Sequence, residues 1–211
     1  MTWPLAADAG DDPRLLSVLD RARSLGFLGP GPIRAHVDHA QRYHDPVVAA
    51  GVDGAVRMAD LGAGGGVPSL PLLVAEPGIE ATLVDASARR CSFLVWAAVE
   101  LGLGDRVEVW RGRAETFGHE AARRGGFDAV VARGFGPPAG TVECGAPLLR
   151  LGGRLVISEP PGGRDWPSLA EVGLTVDRSP EGVVVLVRDG EVPGELPRST
   201  ARQRRRPLFT L

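Results

Sequence analysis

Lysine is absent from this chain of 211 residues, so all 24 of its basic residues are arginines. Any basic binding surface must therefore use guanidinium groups, although this bias by itself carries little functional information. The formal net charge of −2 gives no overall attraction to nucleic acid. A nucleic-acid contact would then require a local cluster of arginines.

Cysteines and long apolar segments are equally scarce. Cys91 and Cys144 are too few for a disulfide framework, and neither belongs to a motif with metal-ligand spacing, so we expect a reducing compartment and no metal. No segment offers the ~18 consecutive apolar residues of a membrane span. Residues 1–12 are acidic and lack the basic start and apolar core of a signal peptide. We therefore expect a cytoplasmic protein that has no contact with membranes.

Hydrophobic residues make up 44% of the chain, which is enough for one sizeable core. Apolar residues at helical spacing predict helices at 13–25 and 33–44. Short apolar runs then alternate with helical stretches and predict strands at 56–61, 81–84, 107–110, 129–132 and 155–157. This alternation is typical of the α/β class, in which a doubly wound, mostly parallel sheet carries helices on both faces.

The last part of the chain departs from that alternation. Two apolar runs at 174–177 and 183–188 have no helical stretch between them and predict a hairpin at the sheet edge, which brings the total to seven strands. We divide the chain into a helical extension (1–50), a central domain (51–190) and a C-terminal arm (191–211). The arm is polar, and we expect it to be exposed and separate from any site in the central domain. Its densest basic run comprises Arg202, Arg204, Arg205 and Arg206.

The most informative motif follows the first predicted strand, where Asp60, Gly62, Gly64 and Gly66 occupy alternate positions. Glycines permit positive φ and a close approach of the backbone to a ligand, and a helix start offers free N–H groups. A dinucleotide fingerprint needs glycine at position 67, which is Val67, so pyrophosphate fits poorly. The order is typical of a loop that binds S-adenosylmethionine. A plain strand-to-helix turn is the alternative.

A second acidic residue, Asp85, ends the next predicted strand, 25 positions after Asp60. A carboxylate at that strand end can accept hydrogen bonds from both ribose hydroxyls of a bound adenosine. The alternative is an N-cap for the helix predicted at 87–101, because aspartate and serine both favour that position. The loop and Asp85 together indicate a nucleoside-type cofactor more strongly than either does alone.

A distinctive set of segments is spread over the chain: 60–72 (DLGAGGGVPSLPL), 83–85 (LVD), 89–90, 93–94, 100–103, 112–115 (GRAE), 127–128, 132–133, 147–149, 196–198 and 206–208. Together they resemble one methyltransferase family, historically called glucose-inhibited division protein B, whose members methylate N7 of a guanine in 16S ribosomal RNA. Pro68 and Pro71, behind the glycine loop, are the most distinctive pieces. Seven strands ending in a hairpin is also the common methyltransferase arrangement.

The resemblance implies roles for particular residues and a partner for the chain. Gly62 and Val67 would line the methionine side of S-adenosylmethionine, Ala114 and Glu115 would contact the adenine, and Asp85 would bind the ribose. Arg133 would lie beside the cofactor at the end of its strand. On general grounds, Glu115 has the alternative role of a helix-capping acid and Arg133 that of a carboxylate's partner. The implied partner is ribosomal RNA or the small ribosomal subunit, contacted by Arg198, Arg202, Arg204, Arg205 and Arg206 of the basic ending.

Two departures from the family concern the substrate. Glu159 stands where the family usually has lysine, and residues 36–39 take the place of an asparagine-rich segment. These departures keep two alternatives open: a methyltransferase for a small molecule, and a non-catalytic module that binds S-adenosylmethionine. His36 and His39 share a helix face, but no third ligand is evident and we assign no metal.

We also assign no catalytic residue. Guanine N7 presents its electron pair without losing a proton, so methyl transfer needs positioning and electrostatic accommodation of charge rather than a general base.

Overall fold

A seven-stranded sheet forms the centre of the protein in the computed structural model, which describes residues 9–177 and 181–211. The strand order is β3-β2-β1-β4-β5-β7-β6, with β1 to β5 parallel and β7 antiparallel to both of its neighbours. The strands are β1 (Val56–Leu61), β2 (Ile79–Asp85), β3 (Val107–Arg111), β4 (Phe127–Ala132), β5 (Leu149–Ser158), β6 (Leu174–Asp177) and β7 (Val183–Arg188). The α/β class and the antiparallel pair at the edge are both confirmed.

Helices cover both faces of this sheet. Those in the described part of the chain are α1 (Pro13–Ser24), α2 (Ile33–Val48), α3 (Ser69–Ala75), α4 (Ala88–Glu100), α5 (Ala114–Phe117), α6 (Pro138–Gly145) and α7 (Thr200–Arg205). Local caps define some of their starts. Asp12 accepts hydrogen bonds from the backbone N–H groups of Arg14 and Leu15 at the start of α1, and Ser87 caps α4. None of the described helices has the length and apolar character needed to cross a membrane.

Two predicted boundaries are wrong by four residues or more. Helix α2 continues four residues beyond residue 44, through Pro46, because Pro46 and Val47 are buried against the core and their packing outweighs the lost helical hydrogen bond. Strand β5 begins at Leu149 instead of residue 155. Its first half contains two glycines and an exposed leucine, a composition that suggests a turn.

The core consists of two hydrophobic clusters, one on each face of the sheet. The first includes Leu15 and Leu19 of α1 and Val37 of α2, and the second includes Leu196 of the C-terminal arm. Helices α1 and α2 and the C-terminal arm therefore pack onto the central sheet, while the boundaries at 50 and 190 stay a prediction. Tyr43 is fully buried, and its hydroxyl donates a hydrogen bond to the carbonyl of Ala132 over 3.2 Å. This bond fastens α2 to the carboxyl end of β4.

Candidate functional site

The glycine loop begins where β1 ends, at the edge of the sheet where the carboxyl ends of all five parallel strands lie. Gly62, Gly64 and Gly66 have φ angles of 72°, 55° and 85°, in the region that side chains with a Cβ rarely adopt. Gly65 has a different constraint: a Cβ there would lie 2.9 Å from the carbonyl oxygen of Phe27. The loop is thus shaped by turns at three glycines and by a close backbone approach at the fourth.

Residues 27–29, which we call the strap, are part of the connection from α1 to α2 and pack against the loop at Gly65. Two cavities flank this region and share the lining residues Gly62 and Arg90. The smaller, about 270 Å³, lies between the strap and the loop and is also lined by Gly64, Val67 and Arg133. The larger, about 540 Å³, is also lined by Asp85, Ala114, Glu115, Phe135 and several residues of the C-terminal arm.

These two cavities bring together most of the residues that the sequence analysis selects for the cofactor. Gly66 is different, because it lines neither cavity. A Cβ on Gly66 would collide with the side chain of Leu70, so this glycine is required by packing at the start of α3. The prediction that Gly66 contacts a cofactor therefore has no support from the cavity geometry.

Asp85 holds the loop in place. Its Oδ2 accepts a hydrogen bond from the backbone N–H of Gly64 over 3.1 Å, and its Oδ1 accepts one from the N–H of Ser87 over 2.8 Å. Ser87, and not Asp85, is the N-cap of α4. An ionised carboxylate has about four acceptor positions, so these two hydrogen bonds leave one further position on each oxygen. Nη1 of Arg90 lies 3.6 Å from Oδ2 as an ion-pair partner. Asp85 therefore presents a pre-oriented acceptor to the larger cavity.

Asp60 is a functional candidate to which the sequence analysis gives no separate role. It is fully buried at the end of β1; Oδ2 accepts a hydrogen bond from the Ser69 hydroxyl over 2.7 Å, and Oδ1 has no partner among the described residues. Burial raises the pKa of its carboxyl to about 7, and the negative charge of Asp85 acts in the same direction. The signal in the sequence is its place as the acid that opens the loop motif.

Arg133 follows β4 and makes an unusual contact. Its Nη2 donates to Nδ1 of His36 over 2.7 Å, and Nε2 of His36 donates to the carbonyl of Gly29 in the strap over 3.2 Å. Among the residues described, no ion pair joins Arg133 to a carboxylate, so the alternative of a simple carboxylate partner does not apply. Both nitrogens of His36 are used in these bonds.

Glu115 lies near the start of α5, but α5 has no side-chain cap. The Glu115 carboxylate instead accepts a hydrogen bond from the hydroxyl of Thr200 in the C-terminal arm. Arg113 donates to the same hydroxyl over 2.9 Å. Glu115 thus connects the wall of the larger cavity to the arm. It is also the acidic residue in the first turn of α5, so the helix-capping alternative stays open.

The C-terminal arm is not separate from the site, which corrects our expectation. Glu143, fully buried in α6, accepts hydrogen bonds from the backbone N–H, Nε and Nη2 of Arg198 at 2.6 to 2.7 Å. A buried carboxylate needs such a partner, and this pair fixes the start of the arm. Helix α7 then forms one side of the larger cavity through Thr200, Gln203 and Arg204.

The arginines predicted to contact RNA consequently differ in their surroundings. Arg198 is 15% exposed and committed to Glu143, whereas Arg202, Arg204, Arg205 and Arg206 are exposed. Arg204 also lines the larger cavity. The exposed run is therefore a basic surface at the entrance to that cavity.

Glu159 is the residue that stands in place of the family's usual lysine. Its side chain is only 4% exposed, and its Oε1 lies 2.5 Å from Nη1 of Arg164. Arg164 offsets the negative charge through Oε1, whereas Oε2 of Glu159 is buried with no hydrogen-bond partner among the described residues. The surface around Glu159 therefore carries less negative charge than the replacement of lysine by glutamate in the sequence suggests.

The sheet order and the glycine loop at its carboxyl edge define a Rossmann-like protein of the class I methyltransferase fold. A family model described as rRNA small subunit methyltransferase G matches residues 45–159, more than half of the chain. The chain belongs to this family, which confirms the resemblance over residues 45–159. The matched residues stop at 159, so the resemblance of the tail at 196–198 and 206–208 stays a prediction.

One similar protein is the ribosomal RNA small subunit methyltransferase G of Streptococcus pyogenes serotype M49 (strain NZ131). It is 43% identical over 101 residues, which are 48% of this chain and 42% of the relative. The matched part of the chain thus spans less than half the length of that relative.

Solved structures show the fold. An O-methyltransferase from Bacillus cereus in complex with SAH is 16% identical and has a TM-score of 0.61, covering 84% of this chain and 91% of that chain. The [4+2]-cyclase SpnF is 22% identical with a TM-score of 0.54, covering 75% and 64%. The same fold thus occurs in a methyltransferase and in a protein named as a cyclase, so it does not by itself define the reaction.

We predict that the stability of Asp60→Asn relative to wild type increases as the pH rises from 5 to 8. Because the folded pKa of Asp60 is raised above its usual 3.8, its stabilising contribution is present below pH 4 and is lost as the pH rises to about 7. Asparagine has no such titration. The difference in free energy of unfolding between variant and wild type should grow by about 2 kcal/mol from pH 5 to pH 8, measured by urea denaturation.

Asp20→Asn is the matched control, because the Asp20 side chain is 54% exposed on the surface of α1. Its difference from wild type should not change with pH. A pH-independent difference for Asp60→Asn as well would contradict the raised pKa.

Proposed function

We propose that the protein is an S-adenosylmethionine-dependent methyltransferase whose cofactor extends across both cavities. The observation that carries this proposal is a pair of buried or partly buried ionisable groups, at one edge of the sheet, whose hydrogen-bond or charge partners are incomplete. Asp60, which lies beside the loop but lines neither cavity, has an unpartnered buried oxygen. Arg133, which lines the smaller cavity, is a partly buried cation with no carboxylate partner among the described residues. An amino-acid end with an ammonium and a carboxylate group complements this pair of charges.

The larger cavity suits the adenosine part of the same molecule. Asp85 has acceptor positions left for two ribose hydroxyls, and its orientation is set by its bonds to the backbone. Ala114 offers an apolar contact for the adenine ring, and Glu115 offers an acceptor for its amino group. Gly62 lines both cavities, so the backbone there would pass beside the centre of the cofactor.

We infer that the substrate is ribosomal RNA of the small subunit and that the methyl group is transferred to N7 of a guanine. Membership of the family described as rRNA small subunit methyltransferase G supports this substrate class. The exposed arginines of α7 at the mouth of the larger cavity support it independently, because planar guanidinium groups pair well with phosphates. The compensation of Glu159 by Arg164 removes one objection to an RNA partner.

The chain's task in such a reaction is to place the two reactants in line. S-adenosylmethionine supplies a methyl group that its sulfonium activates for transfer. Guanine N7 has a free electron pair, so no side chain has to remove a proton before attack. Phe135, which lines the larger cavity and lies against Gly62, offers an aromatic face on which an extruded base can stack. The charged groups around the loop would accommodate the charge that moves from sulfur to base.

The direct test is transfer of a labelled methyl group to small ribosomal subunits from cells that lack this modification. We expect label in 16S ribosomal RNA, at N7 of a single guanine after nuclease digestion and nucleoside analysis. Label in a small molecule of a cell extract, with none in RNA, would favour the small-molecule alternative. Cofactor binding without transfer to RNA or to any small molecule in the extract would favour a non-catalytic module.

We predict that Asp85→Asn weakens S-adenosylmethionine binding by at least tenfold, measured by calorimetric titration. The amide loses the charge and one acceptor oxygen, so it no longer accepts charge-assisted hydrogen bonds from both ribose hydroxyls. The matched control is Asp128→Asn at the amino end of β4. Asp128 likewise accepts from a backbone N–H, that of Arg57, over 2.8 Å, but it lies at the opposite edge of the sheet. Equal affinities of folded Asp85→Asn and wild type would refute the ribose contact.

A further prediction concerns the basic surface of the arm. Because the arm is a wall of the cofactor cavity, the test replaces side chains and keeps the arm. Changing Arg202, Arg205 and Arg206 to Gln should reduce the slope of log affinity for ribosomal RNA against log salt by about 2, at roughly 0.7 for each phosphate contact. Affinity for S-adenosylmethionine should stay within a factor of about two, since these three residues do not line the cavity.

The control for that variant removes three exposed arginines elsewhere, by changing Arg14, Arg23 and Arg57 to Gln, and so changes the net charge equally. The same loss of RNA affinity in both triple variants would mean that only net charge matters. An unchanged salt slope in the arm variant would show that the arm does not contact RNA.

A further inference from the structure

His36 lies behind the smaller cavity and forms hydrogen bonds with residues from two of its walls. On one side its Nε2 bonds to Gly29 of the strap at 3.2 Å, and on the other its Nδ1 bonds to Arg133 after β4 at 2.7 Å. Gly29 and Arg133 both line the cavity, whereas His36 itself does not. Only 6% of His36 is exposed, so the ring cannot easily turn away from these partners.

The two bonds define the state of the ring. Guanidinium groups only donate, so Nδ1 of His36 must be the acceptor and Nε2 must carry the proton that is donated to Gly29. The imidazole is therefore neutral in this arrangement. Burial lowers the pKa of His36, and the positive charge of Arg133 lowers it further, which favours the same neutral form.

A neutral acceptor has a consequence for Arg133 that a carboxylate would not have. The bond to His36 fixes the direction of the guanidinium but does not neutralise its positive charge, and burial of that charge is costly. The negative charge of Asp60 attracts Arg133 without forming an ion pair with it. An aspartate or glutamate in place of His36 would orient Arg133 and also neutralise it. The observed pair thus keeps a fixed positive charge available for an anion in the cavity.

We propose that His36 is a positioning residue, which holds Arg133 and the strap in the geometry that receives the carboxylate of the cofactor's amino-acid end. This inference rests on the proposed cofactor. It adds a residue that does not touch the ligand and acts only through Arg133 and Gly29. His39, one turn further along α2, has no such role, because its Nε2 has no hydrogen-bond partner among the described residues.

Comparing the binding of two ligands distinguishes a positioning role of His36 from a general role in the fold. S-adenosylhomocysteine carries the amino-acid end, whereas 5′-methylthioadenosine has the same adenosine and thioether without it. We expect His36→Gln to weaken binding of S-adenosylhomocysteine by about tenfold, since glutamine can still reach Gly29 but offers no acceptor at the Nδ1 position. Binding of 5′-methylthioadenosine should change by less than about twofold. Calorimetric titration measures both.

His36→Asn supplies the conservative rescue, because its side-chain oxygen reaches the position of Nδ1. It should bind S-adenosylhomocysteine within about threefold of wild type, and the matched control His39→Asn within about twofold. In an Arg133→Gln background, His36→Gln should have no additional effect, because the residue it positions is missing. Thermal melting of every variant shows whether it is folded.

Equal weakening of both ligands by His36→Gln would overturn the proposal and assign His36 to the fold alone. Additive effects of the two substitutions in the double variant would also overturn it, since His36 would then act independently of Arg133. If the wild type binds neither ligand, the proposed cofactor itself fails and the inference fails with it. If the wild type binds both ligands equally, the cofactor stands and only the role of Arg133 and His36 is lost.

Discussion

The hydrogen bond from the backbone N–H of Gly64 to Asp85 is the contact on which the site depends. It joins the loop after β1 to the end of β2, and so fixes the path of a segment whose glycines take left-handed conformations. Gly62, two residues earlier, lines both cavities. A loop with another path would change the shape of both cavities at once. Asp85 therefore shapes the site as well as facing into it.

The buried ionisable groups around the site differ in how completely their charges are paired. Glu143 and Arg198 form a complete pair with three hydrogen bonds, and this pair is structural. Asp60 and Arg133 remain incompletely paired among the described residues, although their burial is costly. Uncompensated charge beside a cavity is typical of a ligand site, because the ligand supplies the missing partner. This contrast separates the residues of the proposed site from those that hold the arm.

Much of the fold could be predicted from local patterns in the sequence. Strands β1, β6 and β7 have the predicted ends, and α4 lies within the helix predicted at 87–101 and buries Phe93, Leu94 and Ala97. Such segments obey a simple period because one face, or all of a short strand, is buried. The end of α2 and the start of β5 could not be predicted in this way. There, burial of a proline and pairing of a glycine-containing strand outweigh local preference.

The sequence by itself determined the class of fold, the glycine loop and the place of Asp85, because each depends on residues close together in the chain or on strand ends that parallel pairing must bring to one edge. Only the tertiary structure decided that the arm is a wall of the cavity, that Arg164 compensates Glu159, and that His36 holds Arg133. His36 and Arg133 are separated by 97 positions. No local period encodes such a contact, since it depends on how α2 packs against the end of β4 and on which buried groups remain to be satisfied there.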